Sequence, residues 1–218
     1  MHHARLRFGL VVAAMVGAGS CGDDAGTTAR GTTRVGGLGT ASGKMNYPVR
    51  VATIGTTAFV VECGNHRVQV FDGTGASLGM IGEGELFYPK GIATADTEVI
   101  VADSRNGRLV SFSGDTVNMI GSGALSAPCG IAVLDDSILV ADPGLRQVVE
   151  IDRRGHILRR FGEGWILPWD VASDGSNVFV ADASVPEMAV MNRNGRRTGT
   201  LALEIAPSAV SLVGACST

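Results

Sequence analysis

Between residues 47 and 205 short apolar runs alternate with polar, glycine-rich breaks, and the runs recur in a fixed order. "AFVV", "VIVA", "ILVA" and "VFVA" each end at an acid: Glu62, Asp103, Asp142 and Asp182. Such runs, bounded by Gly, Pro, Asn and Asp, predict β-strands. A second group follows a loop after each acid: "RVQVFD", "RLVSF", "QVVEI" and "MAVM". A third group, "SLGMIG", "TVNMIG", "ILRRFG" and "GTLAL", follows the tips "DGTG", "SGD", "DRRG" and "NRNG". Gly and Asn accept positive φ, which suits these tips to tight hairpins. A further strand follows a proline, as in "GIATA" and "GIAVL".

The prolines set the period. Pro48, Pro89, Pro128, Pro168 and Pro207 recur about every 40 residues, the length of a four-stranded propeller blade. The expected fold is an all-β β-propeller over 44–218. Its blades fall at about 47–87, 88–126, 127–166 and 167–205, with a fifth unit opening at 206–218.

The stretches "PKGIA", "VADSRNGR" and "GNHRVQVFD" resemble the blade pattern of the NHL-repeat family: Pro-x-Gly-Ile-Ala, then Val-Ala-Asp, then Asn-x-Arg-(Ile/Val)-Gln-Val-Phe. The likeness spans about 47–210. It fades in the third unit, "DPGLRQV", which lacks the Asn, and again in the fourth, "DASVPEM", which lacks both Asn and Arg. The resemblance implies a ring of usually about six blades. Four complete units and one strand therefore predict a truncated sequence or an incomplete ring. The alternatives are a dimer that completes the ring and an atypical small propeller. "TTRVGG" before the first unit is placed to supply an outer strand to a last blade.

The N-terminus follows other rules. "MHHARLR" is basic, "FGLVVAAMVGA" (8–18) is uncharged and apolar, and "GSC" supplies small residues before Cys21. That order describes a secretory signal over 1–20. The apolar run falls short of the roughly 20 residues that span a bilayer. "AGSC" resembles the lipobox of bacterial lipoproteins, with Ala18 where Leu is commonest, and this implies lipidation at Cys21. Residues 21–43 would then form a flexible tether, because "CGDDAGTTARGTT" is too polar to build a core. The location implied is the periplasm or cell surface, with lipid anchoring to a bacterial membrane.

Composition narrows the partners. The formal charge is −3, with 18% charged and 5% aromatic residues, a balance that gives no reason to expect nucleic acid. Cys63, Cys129 and Cys216 remain after Cys21. An exported chain can oxidise a pair of them, and spacing does not say which.

Four candidate chemistries arise. "ECGNHRVQVFD" sets Cys63 and His66 beside Glu62 like ligands of one metal, yet the other units carry Ser104, Pro143 and Ala183 at the first position and Gly107, Arg146 and Pro186 at the second. Zinc takes about four ligands, and beyond the first residues only His156 remains. No metal or other cofactor is expected. "GLGTASGK" (37–44) fails as a P-loop, with Leu38 in place of the first glycine and Met45 in place of Ser/Thr. The recurring acids and Arg67 and Arg108 read as structural fasteners, since a catalytic group is needed once. The tips of the third and fourth units form a candidate anion-binding rim of Arg153, Arg154, Arg193, Arg196 and Arg197, alongside Arg159 and Arg160.

The residues after each proline start the innermost strand and should ring the channel mouth: Val49, Arg50, Lys90, Cys129, Trp169 and Asp170. Of these, Lys90, Trp169 and Asp170 are the candidate ligand-binding residues, with core packing the competing role for Trp169. The expected function is a non-catalytic cell-envelope scaffold that presents loops to a protein or glycan. The alternative is a metal-dependent hydrolase or lyase with its site in the central channel, as the resemblance to other propellers implies.

Overall fold

The computed structural model describes residues 35, 37–162, 164–204, 206 and 207. The expected signal peptide, Cys21, most of the tether, Cys216 and nearly all of the fifth unit lie outside the described residues.

Sixteen strands form four antiparallel sheets, each meandering outward from the central axis. Blade 1 holds β1 (Pro48–Ile54), β2 (Thr57–Glu62), β3 (Arg67–Phe71) and β4 (Ser77–Ile81). Blade 2 holds β5 (Gly91–Ala95), β6 (Glu98–Asp103), β7 (Arg108–Ser113) and β8 (Thr116–Ile120). Blade 3 holds β9 (Ile131–Val133), β10 (Ser137–Asp142), β11 (Gln147–Asp152) and β12 (Ile157–Phe161). Blade 4 holds β13 (Pro168–Ser173), β14 (Asn177–Asp182), β15 (Glu187–Asn192) and β16 (Arg197–Ala202). The molecule is a four-bladed β-propeller with almost no helix; the described residues include one 3-10 turn, Ser104–Asn106.

Period-two side-chain alternation gives every blade two apolar faces, and these make the seams. Val61 and Val68 of blade 1 pack against Val99, Val101, Val110 and Phe112 of blade 2. The opposite face of blade 2, with Ile100, Ala102 and Leu109, packs on Ile138, Val140, Val149 and Ile151 of blade 3. Leu139, Ala141, Val148 and Phe161 then meet Val171, Val178, Val180 and Met191 of blade 4. The second strand of each blade is largely buried on both sides, which is why "AFVV", "VIVA", "ILVA" and "VFVA" read as continuous apolar runs.

The recurring acids sit fully or almost fully buried at the ends of β2, β6, β10 and β14. Each grips the loop that leads into its own blade. Asn46 N–H donates to Glu62 at 2.7 Å, Phe87 N–H to Asp103 at 2.7 Å, Ala127 N–H to Asp142 at 2.9 Å, and Leu167 N–H to Asp182 at 3.1 Å. In blades 1 and 2 the Arg directly opposite the acid, at the start of the third strand, completes the grip. Arg67 Nε lies 2.7 Å from Glu62, and Arg108 Nε lies 2.8 Å from Asp103. The Asn of the motif donates as well, Asn65 to Glu62 at 2.9 Å and Asn106 to Asp103 at 2.8 Å. In blade 4, where both are missing, Ser184 donates to Asp182 through its N–H at 2.9 Å and through its hydroxyl at 2.5 Å. Burial works against ionisation of Asp182, and the bonds from Ser184, Ile166 and Leu167 outweigh it, holding the carboxyl below its usual range.

The slot occupied by His66 has a conformational explanation. His66, Gly107 and Arg146 share it in blades 1 to 3, at φ of 57°, 61° and 55°. The turn needs a left-handed residue there, which Gly supplies without strain.

Truncating one of these acids strands buried donors. Asp103→Ala is expected to cost about 3–5 kcal/mol, measured by urea unfolding. Asp115→Ala, removing an exposed acid on a hairpin tip, should stay within about 0.5 kcal/mol.

Candidate functional site

The four innermost strands enclose a channel of about 300 Å³. Its wall begins at Arg50, Gly91, Gly130 and Asp170, one from each blade, and continues through Val51, Ile92, Ile131 and Val171. Glycine is required at two of these points by close approach of the neighbouring blade. A Cβ on Gly91 would fall 1.8 Å from the Cys129 carbonyl oxygen, and one on Gly130 would fall 2.2 Å from Asp170 Oδ1.

Inside the wall, Arg50 Nη1 of blade 1 meets Asp170 Oδ2 of blade 4 at 2.5 Å. Asp170 is nearly buried and Arg50 is one-fifth exposed on its side chain. The pair ties the first blade to the last across the axis. It also neutralises the channel, so that neither charge acts alone.

Lys90 and Trp169 directly precede Gly91 and Asp170, at the mouth. The Lys90 ammonium stands 4.5 Å from the centre of the Trp169 ring, a cation–π contact between blades 2 and 4 worth about 0.5–2 kcal/mol. Both side chains are partly exposed. Trp169 is therefore absent from the apolar seams, where Trp165 is found instead.

Two thiols complete the mouth. Cys63 and Cys129 are free and buried. The Cys63 thiol donates to the Pro89 carbonyl at 2.6 Å. Burial pushes the Cys63 thiol up to about 12, against a weaker opposing pull from the Lys90 charge. Cys129 is raised for the same reason, with Lys90 again opposing. Both thiols are thus protonated, and neither is a ready nucleophile.

The remaining sequence candidates lie elsewhere. His66 Nδ1 accepts from the Tyr88 N–H at 3.0 Å and its ring stacks at a tilt on Phe87, 5.0 Å away, so it stitches blade 1 to the loop entering blade 2. Among the described residues, no three of His, Cys, Asp and Glu converge in a way that would hold a metal ion. Residues 37–46 wrap blade 1, with Arg67 donating to the Ala41 and Lys44 carbonyls at 3.4 and 3.3 Å.

The arginine rim divides in two. Asp152 and Asn192 hold their tips by accepting from N–H groups two and four residues on. Each tip aims its next residue back at the preceding blade. Arg153 pairs with Glu98 of blade 2 at 2.7 Å, and Arg193 pairs with Glu150 of blade 3 at 2.7 Å. These two arginines are blade fasteners. Arg197 pairs with Glu187 at 2.5 Å within blade 4. Arg154 and Arg196 contribute the backbone N–H bonds of the tips. This division was not visible in the sequence, although Arg directly after the tip's Asp or Asn in two successive units was the available signal.

No protein-family model and no curated protein sequence matches the chain. Solved structures match its fold. The propeller of the nidogen/laminin complex aligns at TM-score 0.65 and 19% identity, covering 75% of this chain and 70% of that one. BamB from Moraxella catarrhalis aligns at TM-score 0.54 and 17% identity, covering 78% and 52%. Streptogramin B lyase aligns at TM-score 0.59 and 10% identity, covering 73% and 56%. The chain spans about half the length of the BamB and streptogramin B lyase chains. At these identities the likeness is one of fold. β-Propellers of this shape include enzymes and proteins solved in complex with another protein, and no helix among the described residues is long and apolar enough to cross a membrane.

The raised thiol gives a direct check. At pH 8 a group titrating near 12 is on the order of 10⁻⁴ ionised. Native Cys63 and Cys129 should react with iodoacetamide at least a hundredfold more slowly than in urea-unfolded protein. A folded-state pKa above the thiol's ordinary value of 9.0 stabilises the fold below pH 9, and that contribution is lost as the pH rises towards 12. Cys63→Ala should flatten this alkaline loss in unfolding curves.

Proposed function

We propose that this chain is an NHL-type propeller of the bacterial cell envelope, exported, anchored through a lipid on Cys21, and used to bind a protein. The carrying observation is the channel mouth. Lys90 and Trp169 from opposite blades meet there at 4.5 Å and stay partly exposed above a channel whose own charges, Arg50 and Asp170, are paired.

A partly exposed aromatic with a cation on its face supplies what interface anchors supply. It offers large rigid area at low conformational cost, and a charge that gains strength as the partner excludes water. The scaffold beneath is rigid, because the acid clamps and three apolar seams fix the blades. The nidogen/laminin complex supports the reading by analogy, since a propeller of the same shape was solved there with another protein. An acidic or aromatic side chain of the partner would complete the contact, the first by pairing with Lys90 and the second by stacking on Trp169. A glycan ligand would use the same stacking face.

A bait experiment in a Gram-negative host tests both parts. The wild-type chain should fractionate with membranes, and Cys21→Ala should move to the soluble fraction. Cross-linked wild type should enrich one protein over a denatured control, and Lys90→Ala/Trp169→Ala should reduce that enrichment at least tenfold. Arg154→Ala/Arg196→Ala should leave it within twofold. Equal recovery by the mouth variant would overturn the placement of the interface. A soluble wild type would overturn the anchor.

A further inference from the structure

Between blades 2 and 3, far from the channel, lies a recess of about 420 Å³ lined by Glu98, Ser111, Asn118, Met119, Ile120 and Arg153. Its volume is in the range of small-molecule sites. We infer that it is a binding site for a small neutral polyhydroxylated molecule, such as a single sugar ring or a polyol.

The first observation is an orphaned hydroxyl. Ser111 is 1% exposed, and its Oγ finds no hydrogen-bond partner among the described residues. Buried hydroxyls are normally bonded, and leaving one unmade costs about 1–3 kcal/mol. Ser111 stands opposite Asn118 in the β7–β8 ladder and on the same side of β7 as Leu109, the side that faces blade 3. It is therefore directed into the recess.

The second observation is the equivalent place one blade on. There Ser137 Oγ donates to Glu150 at 2.6 Å, and Arg193 from blade 4 pairs with the same carboxylate oxygen at 2.7 Å. Serine, glutamate and arginine are bonded to one another there, the serine hydroxyl included, although Arg193 Nη1 finds no partner among the described residues. Blade 2 has the same three residue types with the first two exchanged. Glu98 occupies the strand position of Ser137, and Ser111 occupies that of Glu150. Arg153 still finds its carboxylate, Glu98, at 2.7 Å. The short serine on β7 leaves unfilled the space that a glutamate fills in blade 3.

The chemistry of the lining selects the ligand. Glu98 and Arg153 neutralise each other, so the recess carries no net charge and has no preference for an ion. What remains is a mixture of donors and acceptors: the Ser111 hydroxyl, the Asn118 amide, the second oxygen of Glu98 and the unused N–H groups of Arg153. Vicinal hydroxyls are donors and acceptors at once and satisfy such a mixture. Ile120, on the same face of its strand as Asn118, offers an apolar surface to the C–H side of a ring. This site shares no residue with the channel mouth, so it stands or falls independently of the protein-binding reading.

The test is a titration of the full chain, followed by backbone amide NMR shifts, with D-glucose, N-acetyl-D-glucosamine and glycerol. Sodium acetate and methylammonium chloride serve as charged controls. At least one neutral probe should give saturable shifts centred on residues 98, 111, 118 and 153. Neither charged probe should do so. The exchange Glu98→Ser/Ser111→Glu rebuilds blade 3's bonded serine–glutamate–arginine set in blade 2, and should keep the native spectrum elsewhere while weakening binding at least tenfold. Asn118→Leu, at an exposed position, should weaken it at least fivefold and provides the reading if the exchange variant does not fold. No saturable shift with any neutral probe, a charged probe bound as tightly, or variant affinity within twofold of wild type would each overturn the site.

Discussion

Every blade depends on one buried carboxylate receiving backbone N–H groups from the loop that enters it. A propeller sheet is anchored covalently only at its ends. Something must fix where the chain crosses from the outer strand of one blade to the inner strand of the next. Glu62, Asp103, Asp142 and Asp182 do this from the last position of the second strand. A buried acid is costly without partners and strong with them. That asymmetry makes the clamp specific: a blade whose entry loop is displaced leaves a bare charge in the core.

The clamp explains what varies and what does not. In blades 1 and 2 an Asn and an Arg saturate the acid. In blade 3 the backbone N–H of Leu145 stands in for them, 3.1 Å from Asp142, and in blade 4 Ser184 does so. The motif fades along the sequence while the hydrogen-bond count at the acid is maintained by other donors. Once the crossings are fixed, the inner strands are close enough for Gly91 and Gly130 to touch the next blade. Arg50 can then reach Asp170 across the axis. The rigid mouth carrying Lys90 and Trp169 follows from that.

The fold was legible because its determinants are local and repeated. Period, strand alternation and turn residues gave the four blades, and the acids at equal spacing marked the clamps. Comparing units showed that the residue type in the His66 slot varies, and the positive φ shared by His66, Gly107 and Arg146 shows that the slot is held by a backbone requirement. The long-range pairs were less legible. Arg153 and Arg193 read as a free basic rim, because their partners Glu98 and Glu150 lie 55 and 43 residues away, on strands where they read as ordinary charged positions. The meeting of Lys90 with Trp169 and of Arg50 with Asp170 depends on blade curvature, which no residue pattern encodes. The exchange of Ser111 and Glu98 relative to Glu150 and Ser137 was present in the repeat alignment. It takes on meaning only when the space left beside the shorter side chain is seen.

Native-state hydrogen exchange tests the clamp most directly. The amides of Phe87, Ser126, Ala127, Ile166 and Leu167 lie in connecting loops, where exchange is ordinarily fast. Because they donate to buried acids, they should exchange as slowly as the central strands, with an opening free energy near that of global unfolding. Gly84 and Gly123, in the same loops without such bonds, should exchange within seconds. Fast exchange at the five bonded amides, while β6 and β10 stay protected, would contradict the claim that these carboxylates hold the blades in place.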